Sequence, residues 1–411
     1  MTRTRLLAHL AITFVAVAVF ACDSDDDASA PPPSTPANDA SPPNDASTPP
    51  KPTKILFLGN SYTFARLDPA MSYNAANVHD LTADFAAKNA TGTNPWEPHP
   101  WGGVPGIFKA MTVQAGLDYD VSISTRNAAS LRGHFLNTAN NDWDLRGNVA
   151  SQTWDIVVLQ ELSDGALPPG KGKNANLASF KAYANQFERF IHEGAAQTYT
   201  EAQLFGSLEA CTAARLSEEQ CTTERTIPAN PNASAATKIY LTETWARPDM
   251  VFAHKITTPD KNSPTGSPIV DTSDNGGDAK LYYTSLAGMT TDLRASFAAA
   301  VASNPKFVGV ISVGDAFQFA VDQNLVRTSA FYDANGVFTV EQPGDPINLW
   351  WVDSTHASKY GSYLDALLQF GVITGRDPRS LGEGERAARE LGIAPSDASM
   401  LQRVASAQLG L

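Results

Sequence analysis

The chain has 411 residues, of which 43% are hydrophobic and 9% aromatic, so it is long enough to form one large buried core or two smaller ones. Its formal net charge is −13, and no run of lysine or arginine interrupts the acidic balance. These two features argue against a nucleic-acid-binding protein, because such proteins carry a basic surface.

The first 22 residues are typical of an export signal. Two arginines precede an almost entirely apolar stretch at residues 6–20, which is short for a membrane-spanning helix. Ala21 and Cys22 then resemble a bacterial lipobox, so we predict that Cys22 is lipidated and becomes the mature N-terminus. Phe20 is unusual in that motif and leaves plain signal cleavage as the alternative. We expect a cell-envelope lipoprotein or a secreted protein, attached to a membrane only through the lipid.

Residues 23–53 have the composition of a linker. An aspartate-rich run at 23–27 is followed by many prolines, serines, alanines and asparagines. Such a segment buries too little apolar surface to offset the entropy lost on ordering. We therefore predict a disordered stalk that holds the next domain away from a surface, with a specific docking motif as the alternative.

The first strand is predicted from an apolar run at residues 55–58 that leads into Gly59-Asn60-Ser61. Ligands of open α/β sheets bind beyond the carboxyl ends of the strands, so Ser61 is a candidate nucleophile. A proline- and glycine-rich loop follows at residues 95–103. Its Trp101 either forms a wall for substrate or packs the loop onto the domain.

Strands and helices alternate along the rest of the chain, which favours a parallel sheet of about five strands with helices on both faces. Trp245, at a strand end, either lines the pocket or packs at an edge. A C-terminal extension, residues 376–411, is predicted to contain two short helices in a packed cap or a loose appendage. Further strands are predicted at 119–125, 154–161, 238–245 and 306–313, and helices at 104–116, 178–193, 282–303 and 357–370.

Cys211 and Cys221 are the only cysteines besides Cys22, and both lie in a polar insertion at about residues 199–235. A remaining pair in an exported chain favours a disulfide that closes a short loop, and we predict one here. Zinc is disfavoured because no second pair of cysteines or histidines at ligand spacing accompanies them. We predict no metal and no other cofactor.

A second informative stretch lies near the end of the domain, at Asp353-Ser354-Thr355-His356. The spacing allows the carboxylate to orient the imidazole, so Ser61, Asp353 and His356 form a candidate nucleophile, orienting acid and base. Together with Gly59-Asn60-Ser61, this stretch resembles the first and last motif blocks of the SGNH (GDSL-type) hydrolases, which are serine esterases. The resemblance covers roughly residues 54–375.

The resemblance implies a flavodoxin-like, three-layer α/β/α domain and an oxyanion hole with three donors. The first is the Ser61 N–H. The second is a backbone amide after the second strand, usually of a glycine, where this chain has Ala128-Ala129; we assign it to Ala129. The third is a side-chain amide, usually of an asparagine, matched here by Gln160. The alternative for Gln160 is a hydrogen bond to a neighbouring loop.

The resulting prediction is an exported, monomeric serine esterase that acts on an acetylated polysaccharide or another small-molecule or glycan ester. No Gly-x-Ser-x-Gly or His-Glu-x-x-His motif is present, which disfavours an α/β-hydrolase and a zinc hydrolase. The alternative is a non-catalytic surface lipoprotein of the same fold that binds glycan. The alanines near position 129 are the feature that supports this alternative.

Overall fold

The computed structural model describes residues 51–83, 99–136, 145–259, 268–270 and 277–411, and the structural statements below concern these ranges. The predicted signal, the predicted lipidation at Cys22 and most of the predicted linker lie outside them. Among the helices of these ranges, none is long and apolar enough to cross a membrane.

The strands are β1 (Thr53–Gly59), β2 (His79–Asp80), β3 (Tyr119–Thr125), β4 (Ile156–Gln160), β5 (Gln197–Thr200), β6 (Glu224–Ile227), β7 (Lys238–Thr242), β8 (Thr257–Pro259), β9 (Pro268–Val270) and β10 (Gly309–Ile311). Six of them form the central parallel sheet, in the order β10-β7-β4-β1-β3-β2. We expected about five strands. The additional one, β2, is two polar residues long, and so short a segment has no periodicity to detect.

The middle of the sheet explains the continuous apolar runs in the sequence. In β1, Leu56 and Phe57 are at most 1% exposed although they point to opposite faces. Phe57 lies beside Ile123 of β3 and Val158 of β4 in the parallel register. A parallel strand that is covered on both faces needs apolar residues at every position, and this is what the sequence has.

The helices are α1 (Gly103–Gln114), α2 (Leu131–Leu136), α3 (Leu145–Val149), α4 (Leu177–His192), α5 (Glu201–Phe205), α6 (Leu208–Ala213), α7 (Glu218–Thr222), α8 (Leu286–Ser303), α9 (Val313–Asp322), α10 (Lys359–Thr374), α11 (Arg386–Glu390) and α12 (Pro395–Gln408). On one face of the sheet α1 packs on α10, and Phe108 of α1 meets Phe57 of the sheet. On the other face, α4 packs through Phe187 on Phe135 of α2 and through Phe180 on α8. Helices therefore cover both faces, and the predicted three-layer α/β arrangement is confirmed.

The insertion is an antiparallel hairpin of β5 and β6 that encloses three short helices. The predicted disulfide between Cys211 and Cys221 is formed, with their Cα atoms 5.9 Å apart. The buried carboxylate of Glu201 accepts hydrogen bonds from Arg225 of the insertion and from Arg132 of α2. This pairing attaches the insertion to the helix that follows β3.

The C-terminal residues belong to the same core as the sheet. Helix α12 packs on α10 and α9. Leu401 and Val404 are at most 1% exposed, and Gln402 donates a hydrogen bond to the Tyr363 hydroxyl at 3.2 Å. Of the two arrangements considered for this segment, the contacts correspond to a packed cap.

Candidate active site

The candidate nucleophile lies in a tight turn directly after β1. The Asn60 carbonyl accepts a hydrogen bond from the Thr63 N–H at 2.9 Å and closes this turn. At position 59, a Cβ atom would overlap Thr63 Oγ1 and lie 2.7 Å from Gln160 Oε1, so only glycine fits. The turn thereby holds Ser61 at the carboxyl edge of the sheet, where it is 5% exposed.

The three predicted catalytic side chains form one continuous set of hydrogen bonds. Ser61 Oγ lies 2.7 Å from His356 Nε2, and His356 Nδ1 lies 2.5 Å from Asp353 Oδ2. The other carboxylate oxygen, Asp353 Oδ1, accepts the backbone N–H groups of Thr355 and His356 at 3.0 and 2.9 Å. The carboxylate is therefore fixed by its own loop and fixes the imidazole in turn.

Electrostatics favours the charge distribution that such a set needs. Burial on its own raises the pKa of the Asp353 carboxyl, but the His356 charge and the hydrogen bonds from His356 and Thr355 outweigh burial and hold the pKa well below its usual range. Asp353 is therefore ionised at neutral pH. An ionised carboxylate stabilises the imidazolium that forms when His356 takes a proton from Ser61.

Three aromatic side chains hold the loop that carries Asp353 and His356. The Thr355 carbonyl accepts hydrogen bonds from Tyr62 Oη at 2.7 Å and from Trp245 Nε1 at 3.1 Å. Ser354 has a left-handed backbone, with φ of +58°, and its Oγ accepts a hydrogen bond from Tyr332 Oη at 2.7 Å. Each bond fixes the backbone between the acid and the base.

The two tryptophans predicted to bind substrate are packed inside the domain. Trp245 is 1% exposed and stacks on Tyr62 with ring centroids 4.0 Å apart. Trp101 is 3% exposed and stacks on Phe64 at 3.8 Å. Neither ring offers a surface to a ligand, so we correct the substrate-binding prediction for both residues to the packing alternative.

Gln160 lies at the predicted strand end, and its side-chain amide bonds to neighbouring residues of the protein. Its Oε1 accepts hydrogen bonds from the Asn60 N–H at 3.2 Å and from Thr63 Oγ1 at 3.0 Å. Its Nε2 donates to the Glu161 carbonyl. Gln160 thus makes the hydrogen bonds to neighbouring segments that were its alternative role. These bonds use one of the two Nε2 hydrogens, so the oxyanion assignment of Gln160 stays a prediction.

Ala129 differs from its predicted role. Its N–H donates to the Arg126 carbonyl at 3.2 Å in a turn in which Ala128 has a positive φ of 55°. The Ala129 N–H is therefore not free in this conformation. Of the three predicted oxyanion donors, the Ser61 N–H alone makes no hydrogen bond within the part of the chain that the structure describes.

Asn60 joins the loops after three strands, a role that the sequence did not reveal. Its Nδ2 donates to the Ala129 carbonyl at 3.0 Å and to the Glu161 carbonyl at 3.2 Å. Its Oδ1 accepts the Tyr62 N–H at 3.1 Å. The Gly-Asn-Ser motif contains this residue, but the motif does not show that the amide connects the loops after β3 and β4.

Glu161 is a second residue whose importance was not predicted. Its carboxylate is 2% exposed and accepts the Leu162 and Leu131 N–H groups at 2.8 and 3.2 Å. Burial raises its pKa to about 7, although both backbone hydrogen bonds oppose that shift. This carboxylate therefore ties the loop after β3 to the loop after β4.

Two further polar groups lie around this edge of the sheet. Arg247 pairs with Asp249 through two bonds of 3.0 and 2.5 Å and donates to Ser163 Oγ at 2.9 Å.

Below the nucleophile turn, a small cavity is lined in part by Gln160 and by the buried Asp365 of α10. In the described ranges, no group of three or more histidine, cysteine or acidic side chains is placed to bind a metal ion.

Comparison with known proteins gives only distant likenesses. No family model matches the chain, and no curated protein matches it. A DUF4886 family protein from Bacteroides uniformis has a similar structure, with a TM-score of 0.41 and 13% identity over 87% of this chain and 94% of the other. A proposed SGNH hydrolase from Slackia heliotrinireducens gives 0.34 and 16%, over 79% and 100%. A carbohydrate acetylesterase from Sinorhizobium meliloti gives 0.32 and 11%, over 79% and 99%.

Proposed function

We propose that this protein is a serine hydrolase of the SGNH type that cleaves carboxylic ester bonds. The observation that carries the proposal is the pair of hydrogen bonds from Ser61 through His356 to Asp353, at 2.7 and 2.5 Å. Such an arrangement activates a serine hydroxyl, because the imidazole accepts its proton while the carboxylate keeps the ring oriented.

The reaction follows from these positions. Ser61 Oγ attacks the ester carbonyl as its proton moves to His356 Nε2, and the carbonyl oxygen becomes an oxyanion. The Ser61 N–H stabilises that charge, and a donor of this kind contributes about 3 kcal/mol to the transition state. His356 then protonates the departing alkoxide oxygen, so that the alcohol leaves and the acyl group stays on Ser61. Water, deprotonated by His356, attacks the acyl carbon, and His356 returns that proton to Ser61 Oγ as the acyl–oxygen bond breaks. This step releases the acid and regenerates the serine.

For the substrate we propose a short acyl ester, with acetylated polysaccharide as one candidate. We also propose that the protein is exported and monomeric, attached to the envelope through Cys22 or released. The disulfide between Cys211 and Cys221 supports export, because such bonds persist in oxidising compartments.

The test is hydrolysis of p-nitrophenyl acetate by the purified protein and by Ser61→Ala. We expect measurable turnover by the native protein, and at least a 1,000-fold lower kcat for the variant with an unchanged melting temperature. Equal rates would assign the hydrolysis to another nucleophile. No turnover by the native protein across short acyl esters and acetylated glycans would favour a glycan-binding protein without catalysis.

A further inference from the structure

The residue after the nucleophile touches the loop that carries the base. Tyr62 is 3% exposed, and its Oη donates to the Thr355 carbonyl at 2.7 Å across 293 positions of sequence. Thr355 directly precedes His356, as Tyr62 directly follows Ser61. One hydrogen bond therefore joins the two catalytic segments next to the atoms that exchange a proton.

The Tyr62 ring also constrains the imidazole. Its centroid lies 5.5 Å from that of His356, with planes at 72°, an edge-to-face contact. The Tyr62 ring also stacks on Trp245, whose Nε1 donates to the same Thr355 carbonyl at 3.1 Å. Trp245 in turn stacks on Phe317 at 4.9 Å. The phenol is thus held by a stack of rings that reaches α9.

The hydrogen bond between Asp353 and His356 does not supply this link. Asp353 lies three residues before His356, so their hydrogen bond is internal to one loop and does not fix that loop relative to Ser61. Tyr332 also bonds to this loop, through Ser354. Within the described ranges, the bond from Tyr62 Oη is the one hydrogen bond between the turn at residues 60–63 and the loop at residues 353–356 besides the contact of Ser61 with His356.

We propose that Tyr62 is a positioning residue that sets the distance between the Ser61 hydroxyl and the His356 imidazole through its hydrogen bond to the Thr355 carbonyl. This inference rests on the proposed esterase function. The phenol remains a donor over the working pH range, because burial raises the pKa of Tyr62 far above neutrality, despite the opposing charge of Arg247.

The test compares Tyr62→Phe, which keeps the ring and its stacking, with Tyr363→Phe as a matched control. Tyr363 is also buried and bonded, to Gln402 in the C-terminal cap. We expect Tyr62→Phe to lower kcat about 10- to 100-fold with KM within about 2-fold, because small displacements of reacting groups are costly to rate. The apparent pKa of the kcat/KM profile should also shift. Tyr363→Phe should leave the kinetics unchanged.

A purely structural role for Tyr62 predicts a different result, namely a lower melting temperature with kcat and the pH profile of the native protein. That result would overturn the proposal. If Tyr62→Phe does not fold, Trp245→Phe removes the second donor to the same carbonyl and should lower kcat with KM retained; unchanged kinetics there would also count against it. Failure of the esterase function itself would appear separately, as no Ser61-dependent turnover in the native protein.

Discussion

The two halves of the candidate active site are built in different ways. In the catalytic set, side chains bond to side chains, with Ser61, His356 and Asp353 in line. Along the loops after β3 and β4, the side chains of Asn60 and Gln160 bond mainly to backbone groups and hold the loops in place. Under the proposed function, the chemistry of the first half depends on which side chains are present. The second half would act through backbone N–H groups, and its side chains hold the loops that carry them.

The largest expected effect on rate comes from a substitution in the first half, the hydrogen-bonded set of Ser61, His356 and Asp353. Asp353→Asn keeps an oxygen for the two backbone N–H groups but removes the charge that stabilises the His356 imidazolium. We expect kcat for p-nitrophenyl acetate to fall about 10,000-fold, as when the acid of a serine triad becomes an amide. A loss below 10-fold at pH 7 would show that Asp353 does not orient the base.

The next largest effect comes from a substitution in the second half, where Asn60 holds the loops after β3 and β4. Asn60→Ala leaves the buried carbonyl of Ala129 without its donor, at a cost of about 1–3 kcal/mol, and removes one of the two donors to the Glu161 carbonyl, which Gln160 also bonds. We expect a lower free energy of unfolding in urea and a kcat reduced about 10- to 100-fold as the loops shift. Asn77→Ala, in an exposed hydrogen bond to Asn74, is the control and should change neither quantity. Native kinetics in Asn60→Ala would contradict the role of Asn60 as a link.

A smaller effect on rate decides between the two roles considered for Gln160. Gln160→Met keeps the length of the side chain but removes the acceptor for the Asn60 N–H and Thr63 hydroxyl. We expect a loss of about 1–3 kcal/mol in the free energy of unfolding and less than a 10-fold fall in kcat. The opposite pattern, native stability with kcat reduced 100- to 1,000-fold, would identify Gln160 as an oxyanion donor.

The smallest effect on rate concerns the support beneath the turn. Burial raises the pKa of Asp365 to about 7, although a hydrogen bond from Gln369 opposes the shift. The folded protein therefore binds a proton that the unfolded chain has released, and the contribution of Asp365 to stability is lost as pH rises from about 4 to about 7. We expect Asp365→Asn to remove this loss, on the order of 2–4 kcal/mol.

The measurement is urea unfolding of both proteins at several pH values between 4 and 8. The free energy of unfolding of the variant should increase relative to that of the native protein as pH rises, while kcat stays within about 3-fold. Parallel stability curves would mean that Asp365 is not held protonated by the fold.

The same contrast explains what the sequence could reveal. The apolar runs of β1 and β4 predict buried parallel strands, because covering both faces requires apolar residues throughout. The spacing of Asp353 and His356 likewise allows a local hydrogen bond. For Gln160, in contrast, matching by residue type suggested a donor whose amide is used internally. Its orientation depends on the crowding around Gly59, which is a property of the folded turn.

The contacts of the aromatic residues could not be predicted from the sequence either, because they too depend on the folded arrangement. Both packing and ligand binding were open for Trp101 and Trp245, since an aromatic residue in a loop or at a strand end suits either role. The bond from Tyr62 to Thr355 spans 293 positions and follows no local period. Only the three-dimensional arrangement brings such residues together.

The most direct test of the catalytic account is covalent labelling with a fluorophosphonate, which requires an activated serine. Intact-mass and peptide analysis of the native protein should give a single adduct, on Ser61. His356→Ala should label far more slowly, and Ser61→Ala should not label at all. An adduct on another serine, or equal labelling of native protein and His356→Ala, would contradict the account.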